Sequence, residues 1–260
     1  MSLRRPVAIF VTAALILGGA AFLVLRDAPV QIRAEAATAV PLQDEPGALR
    51  VFLTLVNDGG ADRLIGATSP VARQIELIAP TDAIPLPAHS SPSLALDGAH
   101  LRMVGVGDLG DGAVLPLTLR FASGAQVATR AVLNDPIARG EAGDMGLMSL
   151  GGICRVGDGE PAPQLTLEVT PDGDGWQVRV LSQEFTFSET VEGLGHVPGY
   201  GHGHLYLNGV KLQRMYTPEA HIGALAPGAY QVEVTLNTND HRAYVVGDTP
   251  VTAQATINVP

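Results

Sequence analysis

Polar and apolar positions alternate along much of this chain. Gln164-Leu165-Thr166-Leu167-Glu168-Val169 has a period of two, breaks at Pro171-Asp172-Gly173-Asp174-Gly175, and resumes from Trp176 to Leu181. Such alternation is the mark of half-buried strands, whose successive side chains point to opposite faces. Leu49–Val56, Gln74–Ile78, His100–Val106, Val114–Phe121, Gln126–Leu133, Phe185-Thr186-Phe187, Ala229–Leu236 and Val251–Val259 read the same way, with turn clusters such as Asn57-Asp58-Gly59-Gly60 between them. Few stretches keep a helical period over a helix length. The pattern predicts an all-β protein, with a second-half core drawn from Leu165, Leu167, Val178, Val180, Val232, Val234 and Leu236.

The apolar run Pro6–Leu25 breaks this pattern. It is uncharged, twenty residues long, preceded by Arg4 and Arg5 and followed directly by Arg26 and Asp27. That length suits a helix that crosses a bilayer, and a signal peptide would have a shorter apolar core and an earlier cleavage site. The expectation is an uncleaved anchor in the bacterial inner membrane with the body in the periplasm. The predicted organisation is residues 1–27 anchor or signal, 28–38 linker, 39–135 first β-sandwich, 136–163 linker (with Met145 and Met148), and 164–260 second β-sandwich.

Composition changes the picture modestly. In 260 residues there are 30 glycines and 19 prolines against 5% aromatic residues, which suits short strands and many turns. A formal net charge of −10 argues against nucleic acid as a partner. Cys154 is the only cysteine, so no internal disulfide can form; a small buried hydrophobe is its expected role.

The candidate chemistry lies in histidine. Five of seven histidines fall between His196 and His241. In Gly201-His202-Gly203-His204-Leu205-Tyr206-Leu207-Asn208-Gly209 the Asn-Gly pair predicts a two-residue hairpin turn. Simple pairing across it sets Leu207 against Val210, Leu205 against Leu212, His204 against Gln213 and His202 against Met215. His202, His204 and Met215 then share one face, and two imidazoles with a thioether suit copper as Cu(I) or Cu(II). His221 and His241 are the expected additional ligands. His196, in a glycine-rich loop, is a weaker candidate. Asp240 would either orient His241 or serve as a turn residue.

Residues 48–124 resemble the periplasmic copper chaperones called PCu(A)C. The resemblance rests on Val51-Phe52-Leu53-Thr54-Leu55-Val56-Asn57, Asp62–Ala72, Ile75-Glu76-Leu77, Asp97-Gly98-Ala99-His100-Leu101 and Leu109–Phe121. It implies a small Greek-key β-sandwich that carries copper for respiratory oxidase assembly. The ligand pattern departs from that family. Ile78 stands where a first histidine is expected, no methionine follows up to Ser91, and the His-x-Met pair reads His100-Leu101-Arg102 with Met103 one place late. His100 and Met103 are therefore weaker metal candidates: a remnant, a structural histidine, or a partner to the other half. Less sharply, the second half resembles His-bearing C-terminal extensions of bacterial copper proteins.

These readings predict two β-sandwich domains, cupredoxin- or immunoglobulin-like, behind one transmembrane helix. The expected function is a periplasmic copper-binding protein that buffers copper or hands it to a receiving protein. The alternative is a metal-free interaction module. No nucleophile elbow, phosphate loop or dinucleotide fingerprint is present, so an enzyme is not expected.

Overall fold

Where the sequence alternates, strands form. A computed structural model describes residues 31–42, 44–134, 153–190, 194 and 196–260, and among these no helix occurs. The first half contributes β1 (Ile32–Pro41), β2 (Ala48–Asn57), β3 (Asp62–Thr68), β4 (Gln74–Ile78), β5 (Ile84–Leu86), β6 (Ser93–Leu94), β7 (His100–Val104), β8 (Val114–Phe121) and β9 (Gln126–Leu133). The second half contributes β10 (Ile153–Arg155), β11 (Gln164–Asp172), β12 (Gly175–Gln183), β13 (Thr186–Phe187), β14 (Tyr200–Leu207), β15 (Val210–Met215), β16 (Glu219–Ile222), β17 (Gly228–Asn237), β18 (Ala243–Val246), β19 (Thr249–Pro250) and β20 (Thr252–Val259). β11, β12 and β16 form a separate three-stranded sheet, and the other strands join one hydrogen-bonded network that closes on itself.

Two stretches expected as linker contain strands. Residues 32–38 belong to β1, which pairs antiparallel with β2 and parallel with β9. Its alanine-rich sequence hides the alternation, and a bulge between Glu35 and Thr38 interrupts it further. In the second stretch β10 pairs parallel with β18. The apolar run Pro6–Leu25 and both Met145 and Met148 lie outside the described residues.

One apolar cluster runs through both halves. Leu53, Leu55, Leu101, Leu117 and Phe121 share it with Val178, Val180, Leu205, Val232 and Val234. Each side chain so buried contributes about 1.5–3 kcal/mol. Leu165 and Leu167 pack against it half-buried, while Leu236 joins a smaller cluster with Phe185, Tyr244 and Val251. Ile32–Pro260 accordingly form one compact unit. β6 pairs with both β2 and β15, so a first-half strand touches the histidine hairpin at Ser93 and Lys211.

Candidate metal centre

The hairpin turns at Asn208 and Gly209, with φ of 46° and 79°, the left-handed pair that a type I′ turn requires. Asn208 Oδ1 accepts a hydrogen bond from the Gln231 amide at 2.7 Å. Next to the turn the register is the simple one, Leu207 against Val210 and Tyr206 against Lys211. Beyond it the ladder slips by one residue at Leu212. Leu205 opposes Gln213, His204 opposes Arg214, and Gly203 opposes Met215. This corrects the expected pairing of His202 with Met215. A one-residue slip moves a side chain to the other face. Met215 is 2% exposed and belongs to the apolar core rather than to the histidine face.

His202, His204 and Tyr206 do share a face, as alternation demands. β14 pairs on its other side with β17, placing His202 opposite Asn237. Gly201 permits this approach, since a Cβ there would lie 2.1 Å from the Asn237 carbonyl oxygen. Past Asn237 a tight turn sends the chain back. The Thr238 amide donates to the Arg242 carbonyl at 2.8 Å, and the His241 amide to the Thr238 carbonyl at 3.0 Å. Asp240 accepts from Thr238 Oγ1 and from Arg242 Nε, the contacts of a turn residue. The turn holds His241 at φ 65°, an uncommon conformation for a non-glycine residue.

This brings the His241 ring to His202, with centroids 4.9 Å apart, and to 6.3 Å from His204. One ring nitrogen from each of His202, His204 and His241 lies within 4.8 Å of the others. The His202 and His204 Nε2 atoms are 3.1 Å apart. A tetrahedral ion bound at about 2.0 Å by imidazole sets its nitrogens about 3.3 Å apart. One pair already has that spacing, and the third ring is near enough to complete it. His202 and His204 are buried, while His241 is partly exposed and forms the solvent side.

The surroundings keep the His202 and His204 imidazoles neutral. Burial, followed by the neighbouring His204, His241 and Arg214, pushes the His202 pKa down to about 2. Burial lowers His204 to about 4 against the opposing pull of Asp97. Neutral imidazole is the form that binds metal.

Asp97, Tyr206 and Lys211 support this site, and the sequence reading missed that role for all three. His204 Nδ1 lies 3.2 Å from the Tyr206 hydroxyl and 3.4 Å from Asp97 Oδ2. Tyr206 donates to Asp97 Oδ2 at 2.9 Å, and Lys211 Nζ lies 2.6 Å from the same oxygen. Burial alone would raise the Asp97 pKa, but the His204 hydrogen bond and the Lys211 charge hold it well below the usual carboxylate range. One signal was available in the sequence. Lys211 alternates with Val210 and Leu212 and pairs with Tyr206, which puts a cation on the histidine face, and a lysine so placed needs a counter-charge when it is buried.

The remaining candidates lie elsewhere. His221, on β16, opposes Gln177 and is half-exposed, 3.9 Å from Asp172. His196 contacts Cys154 Sγ at 3.5 Å and Glu160 at 3.2 Å. In the first half Ile78 opposes His100, and Glu76 opposes Arg102. Arg102 binds Glu76 at 2.7 Å and Glu45 at 2.5 Å, so an ion-pair cluster occupies the expected ligand position. Met103 points the other way, fully buried in the core. Cys154 is buried, as its expected role requires.

Residues 28–133 match the family model described as "Putative lipoprotein LpqE-like". No curated protein matches the chain. The copper-bound PCuAC domain from PmoF2 is similar at 27% identity, covering 42% of this chain and 97% of that one, with a TM-score of 0.37. The Cu(I) form of DR1885 from Deinococcus radiodurans is similar at 23% identity, covering 44% of this chain and 83% of that one, with a TM-score of 0.35. The stretch that matches this family model ends at residue 133, and the three converging histidines lie outside it.

Proposed function

We propose that this protein holds copper at His202, His204 and His241 and passes it to a receiving protein in the periplasm. The convergence of three imidazole nitrogens, two of them on buried neutral rings, carries this reading. Copper is favoured because an all-nitrogen site binds it above the other divalent first-row metals. With Met215 in the core, its thioether adds no preference for Cu(I). His241, on the solvent side, is the ligand through which an ion would enter and leave. Holding and transfer need only such an accessible site, with no substrate pocket beside it.

In this reading the apolar run Pro6–Leu25 anchors the chain in the inner membrane. A lipoprotein carries its lipid on a cysteine near the N-terminus. The only cysteine of this sequence, Cys154, is buried. Among the described residues no helix is long and apolar enough to cross a membrane.

The ion pairs of Arg102 favour a second reading, a metal-free interaction module, because they replace the expected first-half ligands. Titration of the purified protein with copper and zinc, followed by elemental analysis, separates the two. We expect one copper per chain, bound more tightly than zinc, and loss of binding in His202→Ala/His204→Ala. A folded wild-type protein that takes up neither metal rules out the copper reading and leaves the module.

A further inference from the structure

The loop between β6 and β7 belongs to the first half, yet its acidic side chain reaches the histidine face of the second. The loop is braced from within. The Ala95 amide donates to the Ala99 carbonyl at 2.9 Å, and the Gly98 amide to the Ala95 carbonyl at 3.1 Å. His100 Nδ1 lies 3.1 Å from the Gly98 carbonyl, so it donates there. The histidine that the family resemblance would assign to copper braces this loop instead.

The loop is also pinned to the hairpin. The Ala99 amide donates to the Gly209 carbonyl at 2.7 Å. A Cβ on Gly98 would lie 2.5 Å from that carbonyl oxygen and 3.4 Å from the Tyr206 ring, so only glycine allows the approach. Asp97 is thereby placed within reach of Tyr206, His204 and Lys211 together.

Proton positions follow from these contacts. Ionised Asp97 can only accept, so the Tyr206 hydroxyl proton points to Asp97 Oδ2. The Tyr206 oxygen then presents a lone pair to His204 Nδ1, and Asp97 Oδ2 presents another. Both atoms facing Nδ1 are acceptors, so Nδ1 carries the proton. His204 Nε2 is left with its lone pair directed toward His202.

We propose that Asp97 is a positioning residue for the metal site, fixing His204 in the tautomer whose Nε2 is free to bind the ion. The inference rests on the copper reading above. It makes the PCuAC-like half a working part of a site whose ligands all come from the other half. A carboxylate behind a ligating imidazole both orients the ring and raises its basicity, and its loss typically weakens metal binding about 10–100-fold.

Asp97→Ala paired with Lys211→Met removes both buried charges together, so no ammonium is left facing an absent carboxylate. Without Asp97 the Tyr206 hydroxyl is free to donate to Nδ1, and the proton moves to Nε2. Two measurements on the full chain in detergent micelles decide the matter. One is histidine ¹⁵N NMR of the metal-free protein, with the His204 signals assigned by their loss in His204→Ala. The other is copper competition titration. We expect an Nδ1-protonated His204 in wild type, a shift toward the Nε2-protonated form in the double variant, and copper affinity about 10–100-fold lower. Tyr206→Phe keeps the carboxylate and should keep the Nδ1-protonated form. Should the double variant fail to fold, Asp97→Asn with Lys211 retained is the substitute, with the same directions expected. A folded variant that keeps either the wild-type tautomer or the wild-type affinity overturns the proposal. If wild type binds no metal, the copper reading fails, while the tautomer comparison still decides what Asp97 does.

Discussion

Replacing Met215 with alanine tests where this side chain belongs. It lies opposite Gly203 and is 2% exposed, one face away from the histidines. The substitution deletes Cγ, Sδ and Cε from a packed site. Lost transfer free energy at about 0.8 kcal/mol per buried group gives about 2–2.5 kcal/mol. The residual cavity adds more, because the opposing residue has no side chain to move in. Phe187 and Val234, which border Gly203, are themselves held in the core. The expected total is about 3 kcal/mol, within the usual range for buried methionine truncation. Urea unfolding of the full chain should show it as a lower midpoint at unchanged slope. Copper affinity, measured on folded protein, should stay within about twofold of wild type, since the side chain lies in the apolar core on the face away from the histidines. A tenfold loss of Cu(I) affinity at an unchanged midpoint would refute the slipped register and put the thioether at the metal.

Two more predictions follow from burial and close approach. The metal-free protein should lose stability as pH falls: His202 and His204 have depressed folded-state pKa values, so below the unfolded value of about 6.5 the unfolded chain binds protons first. The loss should reach about 2 kcal/mol per histidine by pH 5 and be missing from His202→Ala/His204→Ala; equal pH slopes in urea titrations of the two proteins would contradict it. Gly98→Ala, whose Cβ would overlap the Gly209 carbonyl, should cost about 1–3 kcal/mol and weaken copper binding, while Gly60→Ala, with open space around it, should match wild type in the same melts.

Local signals were legible in the sequence and long-range ones were not. The Asn208-Gly209 turn and the strands Gln74–Ile78, Val114–Phe121 and Gln126–Leu133 follow from alternation and turn chemistry. So does the shared face of His202 and His204. Met215 was misplaced because a bulge at Leu212 shifts every later residue of β15, and nothing in Val210-Lys211-Leu212-Gln213 marks the slip. His241 was identifiable as a residue type, but its arrival depends on the pairing of β14 with β17 and on a left-handed turn position. His221 looked equivalent in sequence and lies on the three-stranded sheet instead. Asp97 was hidden by distance. It stood in a segment noticed only for its family resemblance, and a carboxylate in a loop says nothing of which histidine it will meet.

The loop that carries Asp97 also sets when the site comes into being. Asp97 and Tyr206 are 109 positions apart, and His241 lies further on still. Contacts of such separation close late in folding, after the entropy of a long loop has been overcome. A chain synthesised N-terminus first therefore completes residues 28–133 before any of His202, His204 and His241 has emerged. On the copper reading proposed above, capture is the closing event of maturation, and a truncated product that stops before His241 should compete poorly for the ion.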